Sequence, residues 1–450
     1  MKTIAEPKKH IEDLWGKQKI VKSCTYRLMK YVIQTNCKGN HLLHNVITGQ
    51  LVALNQEEAS VLIAIPLKYT SSMDSLIENH FLVPEDYDEY QQVKCLRKVL
   101  SLLTRIHGPK DIVGYTILPT TACNARCYYC FEKGAKVSTM SEQTANDLVD
   151  FIVTHCGEKK AVTLIWFGGE PTVATNRIDQ VCIGLRKKGV SFQSKMITNG
   201  YLFDEEMVSK AKELWNLNGL QICVDGLEEN YNTIKDYVGT QDNPYQRVMR
   251  NIGMLIENGI RVGLRMNFDL GNYKDFYKLV DEVIERFGNN PLLRVGVHPV
   301  IGDHRNKNGE LLHGTDEWFT KMLVELNSLL FSKGLKENRM ELPYLNYEAC
   351  SAYSDSTVTI TPEGNIVRCP EKFGNDQITG NLQTGVTNHE LVKSWKEIAD
   401  FPMCVDCALH PNCLRLVNCS NTTYCHKSLY LSKRCEELIN YTFLQANIQK

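Results

Sequence analysis

From residue 113 to residue 334 the chain alternates short apolar runs with amphipathic stretches of helical period, which limits the fold more than any other feature of the sequence. Strands are predicted at 113–120 (VGYTILPT), 161–167 (AVTLIWF), 191–198 (SFQSKMIT), 219–226 (GLQICVDG), 261–268 (RVGLRMNF) and 292–300 (LLRVGVHPV). Between them, SEQTANDLVDFIVTHC, FDEEMVSKAKELW, NPYQRVMRNIGMLIENG and YKDFYKLVDEVIERFG read as helices. A strand followed repeatedly by a helix gives parallel pairing, because a parallel neighbour needs a long crossover. Six such units make an incomplete α/β barrel, a partial (β/α)6 relative of the TIM barrel, with its functional groups at the carboxyl ends of the strands.

The flanks differ. Residues 25–54 read as β-ribbon, with LLHNVITGQLVAL turning at Thr48-Gly49. Asn55 and Glu58 have the spacing of a capping box, and the apolar stripe of SSMDSLIENHFLVP follows. After residue 340 a β-hairpin is predicted in STVTITPEGNIVRC, and then comes a cysteine-dense segment with little apolar periodicity, which metal would have to hold together. The expected domains are 1–105, 106–335 and 336–450.

Lys and Arg total 51 against 52 Asp and Glu, a net charge of -1, so there is no electrostatic case for nucleic acid or an anionic membrane. No run of about 18 apolar residues is present to span a bilayer. The start, MKTIAEPKKHIEDLWGKQ, has charges where a signal peptide has its apolar stretch, so a cytoplasmic location is expected. In a reducing compartment 17 cysteines point to metal rather than to disulfides. Cys24, Cys37, Cys95, Cys156, Cys182 and Cys223 lack ligand spacing and read as small apolar residues. The other cysteines fall into two groups.

Cys123-x3-Cys127-x2-Cys130 directly follows the first predicted strand. Three thiolates leave one coordination position of a cubane cluster open, whereas a structural zinc or an ordinary cluster takes four protein ligands; a zinc site completed by a distant histidine is the alternative. CNARCYYC resembles the defining motif of the radical S-adenosylmethionine superfamily, whose fold is a partial (β/α)6 barrel. The resemblance implies a [4Fe–4S] cluster whose unique iron binds the methionine end of S-adenosylmethionine, and a 5′-deoxyadenosyl radical that abstracts a substrate hydrogen. It also implies that Gly168-Gly169-Glu170-Pro171 receives the methionine amino group. Thr198, Asn199, Gln221, Asp225, Arg265 and Asn267 match positions that contact ribose or carboxylate; Tyr129 matches the aromatic beside the adenine, with Phe131 its neighbour. Each strand-end polar residue has an ordinary hydrogen-bonded role as its alternative.

The second group is Cys350-x13-Gly364-x4-Cys369, then Cys404-x2-Cys407-x5-Cys413, Cys419, Cys425 and Cys435. Its order resembles the SPASM domain, which houses two auxiliary [4Fe–4S] clusters, although Cys413 and Cys419 are separated by five residues where that family has three. Eight cysteines suffice to ligate two cubanes fully, giving three clusters in all. The resemblance assigns Cys350, Cys369 and Cys419 to one cluster and Cys404, Cys407 and Cys413 to the other, with Cys425 and Cys435 completing them, Cys435 rather with the second set. Sulfatase maturases of similar layout carry Asp after the second SPASM cysteine; here Pro370 stands there, followed by Glu371, a candidate catalytic base or an exposed loop carboxylate.

The ribbon and helices ahead of the barrel resemble the winged-helix-like peptide-recognition domain of natural-product maturases. The whole layout implies an enzyme that installs a carbon–carbon cross-link of the streptide type in a ribosomal precursor peptide, with the leader bound by the front domain. A one-electron reductant such as flavodoxin or ferredoxin would supply electrons. Thioether-forming maturases are the close alternative; a sulfatase maturase and a non-catalytic iron–sulfur sensor or electron carrier stand further off.

Overall fold

The computed structural model describes residues 1–450 apart from 65, 109–110, 241, 301, 303, 307, 336–341, 348–349, 400, 420–424, 426 and 449–450. The chain forms two compact units, Met1–Gly108 with Asn338–Cys350 and Ile398–Lys450, and Pro109–Glu337 with Ser351–Glu397. Residues 351–397 of the expected tail domain thus group with the barrel, and 398–450 with the front segment.

In the barrel unit, β1 (Gly114–Thr120), β2 (Ala161–Gly168), β3 (Ser191–Thr198), β4 (Leu217–Cys223), β5 (Arg261–Phe268) and β6 (Leu293–Pro299) lie side by side in chain order, all parallel. The crossovers hold α1 (Glu142–His155), α2 (Thr175–Lys187), α3 (Glu205–Glu213), α4 (Glu228–Lys235), α5 (Pro244–Glu257) and α6 (Phe276–Phe287), and α7 (Asp316–Ser332) follows β6. The side chains of Ser141, Asp204, Asn243 and Thr315 cap α1, α3, α5 and α7 by accepting from backbone N–H groups of the first turn. Tyr115, which packs edge-on against Phe151 of α1, is buried, as are Leu164, Trp166, Ile222 and Met266 on the other strands. This is the expected partial barrel.

The predicted hairpin is present, and it extends this same sheet. Thr357–Ile360 pairs parallel to β1, and Asn365–Val367 returns antiparallel through a turn in which Gly364 has φ +82°. The open edge at β1 is therefore covered rather than left to pair with another chain.

The other unit holds two small antiparallel sheets, one ordered Lys2–Ala5, Leu51–Leu54, Asn40–Asn45, Val32–Cys37 and one ordered Leu67–Lys68, Thr25–Leu28, Leu82–Pro84. The ribbon turns as expected: Asn45 N–H donates to the Gln50 carbonyl at 2.9 Å, and Gly49 sits at φ +77°. The capping box is reciprocal, with Glu58 N–H on Asn55 Oδ1 and Asn55 N–H on Glu58 Oε2, both at 2.9 Å. The helices Glu89–His107 and Lys427–Ile448 complete the unit. Among the described residues no helix is long and apolar enough to cross a membrane.

Candidate cluster and cofactor site

The loop after β1 carries Cys123, Cys127 and Cys130, all partly exposed. It is pinned to the 235–238 segment by Arg126 N–H on the Lys235 carbonyl and Val238 N–H on the Asn124 carbonyl, each at 2.8 Å. Asn199, at the end of β3, donates from Nδ2 to Asn124 Oδ1 at 2.7 Å. Burial pushes the Cys123 thiol up to about 12, and the neighbouring Glu170, Cys127 and Cys130 add to it while the Ala125 N–H opposes. Burial likewise pushes Cys127 up to about 11, with Lys235 opposing. Cys130 acts on both Cys123 and Cys127, so the thiols would repel as thiolates, and bound iron relieves that repulsion; soft sulfur donors in a half-buried loop suit an iron–sulfur cluster. Among the described residues no three His, Cys, Asp or Glu side chains converge tightly enough for a single metal ion. Thiolates that each take a different iron of a cubane sit farther apart, so the fit rests on their mutual neighbourhood.

Gly168-Gly169-Glu170-Pro171 begins on the last residue of β2 and packs directly on the start of that loop. Gly169 N–H reaches the Thr120 carbonyl at 3.1 Å and Glu170 N–H the Ala122 carbonyl at 2.9 Å. A Cβ on Gly169 would stand 2.4 Å from the Ala122 oxygen, and one on Gly168, at φ +117°, 2.3 Å from the Thr120 oxygen. Glycine is required at both. The Glu170 carboxylate is fully buried and already engaged: Oε1 accepts from Thr172 N–H (3.1 Å), Thr172 Oγ1 (2.5 Å) and Thr198 Oγ1 (2.7 Å), and Oε2 from Asn199 N–H (2.7 Å). It latches the end of β2 to the end of β3. Pro171 opens the short 3-10 turn Pro171–Ala174, where a proline lacking N–H fits.

Past β4, Asp225 is fully buried and forms an ion pair with Lys235 Nζ at 2.7 Å. Asp225 Oδ1 accepts from Asn267 N–H (3.2 Å) and Nδ2 (3.0 Å), and its Oδ2 accepts from the Tyr129 hydroxyl. Lys235 also donates to Tyr129 Oη at 2.9 Å. Arg265 Nε donates to Asn267 Oδ1 at 2.8 Å. Tyr129, Asp225, Arg265 and Asn267 are thus brought into one polar network beside the cysteine loop. Lys235, which sequence reading missed, is the cation paired with Asp225. A buried aspartate demands such a partner, but nothing in the sequence says that a lysine ten positions on provides it. Cys223 also lies here, close enough to Cys127 and Lys235 for its charge to act on both. Phe131 is 51% exposed and stacks on Phe167 at 5.9 Å rather than joining the network, and Gln221 is half-buried on β4.

In the front-and-tail unit, successive turns join Cys404, Cys407 and Cys413: Cys407 N–H donates to the Cys404 carbonyl (3.2 Å), His410 N–H to the Cys407 carbonyl (2.8 Å) and Cys413 N–H to the Leu409 carbonyl (3.0 Å). Burial pushes the Cys407 thiol up, and Cys425 and Cys404 act on it; burial pushes Cys413 up, with Cys404 and Cys407 among its neighbours. Four thiols therefore share this neighbourhood, and they are chemically suited to a cubane. The fourth is Cys425; the Cys435 thiol instead points to the Gln34 carbonyl at 3.9 Å. Cys350 and Cys419 lie in the same unit, and Cys369 lies in the barrel unit. Glu371 is exposed on the turn where Cys369 bridges to Lys372. Of the six cysteines set aside, Cys37, Cys156 and Cys182 are buried and Cys95 is exposed.

Residues 117–283 match the family model described as the Radical SAM superfamily. These residues form a radical SAM domain. The Fe-coproporphyrin III synthase of Methanosarcina barkeri is 26% identical over 165 residues, 36% of this chain and 38% of that protein. The GTP 3′,8-cyclase of Clostridium perfringens is 26% identical over 296 residues, 60% of this chain and 84% of that one. The chain thus spans well under half the length of the first of these relatives. Among solved structures, native anSMEcpe with bound AdoMet is similar at TM-score 0.57 and 16% identity, over 75% of this chain and 98% of that one. Streptococcus suis SuiB bound to precursor peptide SuiA is similar at TM-score 0.50 and 16% identity, over 86% and 94%. The domain match and the relatives, a synthase and a cyclase among them, mark the chain as an enzyme.

Proposed function

We propose that this enzyme uses S-adenosylmethionine and three [4Fe–4S] clusters to cross-link a ribosomally made precursor peptide, joining side chains through carbon. The observation that carries the reading is the cysteine loop of β1, fastened to Gly168-Gly169 on one side and to the buried Asp225–Lys235 network on the other. Cys123, Cys127 and Cys130 would hold the first cluster with one position open. When bound, the reduced cluster and S-adenosylmethionine supply a carbon radical that takes a hydrogen atom from substrate.

The glycines let main chain approach the methionine end closely, with Glu170 holding that main chain in place rather than meeting the amino group itself. Thr198 and Asn199 anchor the latch, and Gln221, Arg265 and Asn267 line the strand ends beside it. The peptide substrate is supported by the likeness to SuiB bound to its precursor. The eight tail cysteines, enough to close two clusters, favour a carbon–carbon bond over substrate thiolate on an open iron. In this reading residues 1–105 take the leader as an added strand, flavodoxin or ferredoxin delivers the electrons, and the enzyme works in the cytoplasm.

Anaerobic reconstitution tests it. The protein should bind about 12 iron atoms, four per cubane. Replacing Cys123, Cys127 and Cys130 by Ala should abolish 5′-deoxyadenosine formation and leave about eight. Zinc in place of iron, or cleavage that persists in the triple variant, would refute the reading.

A further inference from the structure

Arg97 is a buried cation that neither the radical SAM domain nor the cysteine spacing accounts for. It lies in the helix Glu89–His107, is 4% exposed, and points its guanidinium at the segment between Cys407 and Cys413. Nη2 donates to the carbonyls of His410 (2.5 Å), Pro411 (3.1 Å) and Cys413 (2.8 Å). Nε donates to the Asn346 carbonyl at 3.1 Å, and Nη1 lies 3.5 Å from His410 Nε2. Asn346 reinforces the same segment, its N–H on the Pro411 carbonyl at 2.8 Å and its Nδ2 on the Asn412 carbonyl at 3.3 Å. Upstream in the loop, the Tyr31 hydroxyl donates to the Val405 carbonyl at 3.3 Å, and Lys30 pairs with Asp406 at 2.7 Å.

Burying a full positive charge is expensive unless it is matched, and carbonyl dipoles of the 410–413 segment and of Asn346 contribute to that match here. A guanidinium suits this because its donors form a rigid planar fork; an ammonium on a flexible stem does not reproduce it. Carbonyls drawn to one point fix the peptide planes from 410 to 413, and the carbonyl of Cys413 itself is among them. The direction of the Cys413 side chain is set accordingly.

We propose that Arg97 is a positioning residue for the auxiliary cluster of Cys404, Cys407 and Cys413, shaping their loop from the front segment and placing a permanent positive charge beside the cluster. This rests on the reading that those cysteines hold a cluster. A peptide-recognition segment and an electron-transfer centre would thereby share one structural joint.

The test uses the full chain, reconstituted anaerobically in the Cys123→Ala, Cys127→Ala, Cys130→Ala background, so that only auxiliary clusters contribute signals. Iron content, the EPR spectrum of the reduced protein and the midpoint potential are measured for Arg97 itself, Arg97→Lys and Arg97→Met. A further variant adds Cys404→Ala, Cys407→Ala and Cys413→Ala to mark which signal belongs to this loop. Arg97→Lys, which keeps the charge and loses the fork, should broaden or shift that signal alone. Arg97→Met should in addition lower its potential or lose its four irons, with the other auxiliary signal unchanged. Spectra, potential and iron identical to the parent in both variants would overturn the proposal, and so would loss of both auxiliary clusters together in Arg97→Lys, which would indicate a general folding defect. Undiminished iron in the variant lacking Cys404, Cys407 and Cys413 would instead overturn the cluster reading beneath it.

Discussion

Removing one charge of the Asp225–Lys235 pair should destabilise the barrel unit by an amount that depends on which charge is left behind. Breaking a buried ion pair from one side costs about 3–5 kcal/mol, because the remaining charge is stranded. The structure ranks the two halves. After Lys235→Met, the Asp225 carboxylate still accepts from Asn267 N–H, Asn267 Nδ2 and the Tyr129 hydroxyl, so the loss should be near the lower end, about 3 kcal/mol. After Asp225→Asn, an ammonium only 3% exposed keeps Tyr129 as its partner and has no counter-charge, so the loss should approach about 5 kcal/mol. The double variant carries no stranded charge and should lose about 2 kcal/mol, the cost of polar groups left short of a partner, far below the about 8 kcal/mol of simple addition. Guanidinium unfolding of metal-free, reduced protein followed by tryptophan fluorescence can measure this, since Trp166, Trp215, Trp318 and Trp395 all lie in the barrel unit. Equal losses for the single variants, or additive losses in the double, would show that the pair does not act as a buried unit.

Gly169→Ala should lower S-adenosylmethionine binding and destabilise the barrel by about 1–3 kcal/mol, because its Cβ meets backbone oxygens that cannot turn aside. Gly253→Ala, in α5 where the added Cβ would meet only the Phe287 ring at 3.6 Å, should be neutral or stabilising in the same binding and melting assays. Burial, with help from Arg434, pushes His44 down to about 3. Between about 6.5 and that value the unfolded chain binds a proton that the folded one refuses, so stability is full above about pH 6.5 and falls on acidification by up to about 1.4 kcal/mol per pH unit. His44→Leu should flatten the slope of a pH series of denaturation curves between pH 6.5 and 4 by that one proton, and an unchanged slope would refute the assignment.

Much of the barrel was legible because its strands write themselves as alternation, with Phe192, Ser194 and Met196 buried between more exposed neighbours in β3 and Val262, Leu264 and Met266 buried in β5, and 191–198 and 261–268 coincide with those strands. The helices α2, α4 and α7 were not singled out. In α4 the buried face is Tyr231, Ile234 and Lys235, and a lysine in that place disrupts the apolar stripe that reveals a helix. The same departure from type hid two buried cations. Lys235 and Arg97 read as surface residues, since long cations are rarely buried, and only the fold shows what each is paired with. That Cys123, Cys127 and Cys130 share one loop at the end of the first strand was legible from their spacing. The setting of Glu170 was not: a carboxylate next to two glycines invites the reading of an ammonium receptor, and only the fold shows its four hydrogen bonds to residues 172, 198 and 199, which tie the end of β2 to the end of β3.

The ribbon Asn40–Leu54 carries a consequence for any attempt to separate peptide binding from chemistry. Its side chains alternate between two cores, as a strand requires. Leu43, Val52 and Leu54 join Tyr26, Ile77 and Phe81, whereas Leu42, Leu51 and Ala53 join Ile33, Leu409 and Leu438. One face of the ribbon therefore belongs to the front segment, and the other is closed by residues of the cysteine-bearing tail. Cutting away residues 1–105 would strip Leu409 and Leu438 of their partners and remove Arg97 from the loop of Cys404, Cys407 and Cys413. A truncated enzyme that failed to bind precursor would then report a damaged tail as readily as a missing leader site. Leader binding has to be tested from the peptide side instead. A proline in the paired stretch of the leader removes a ladder donor and should weaken calorimetric affinity more than alanine at the same position, with the enzyme left whole. If the two leader substitutions weaken binding equally at every position, strand addition is not how the leader is held.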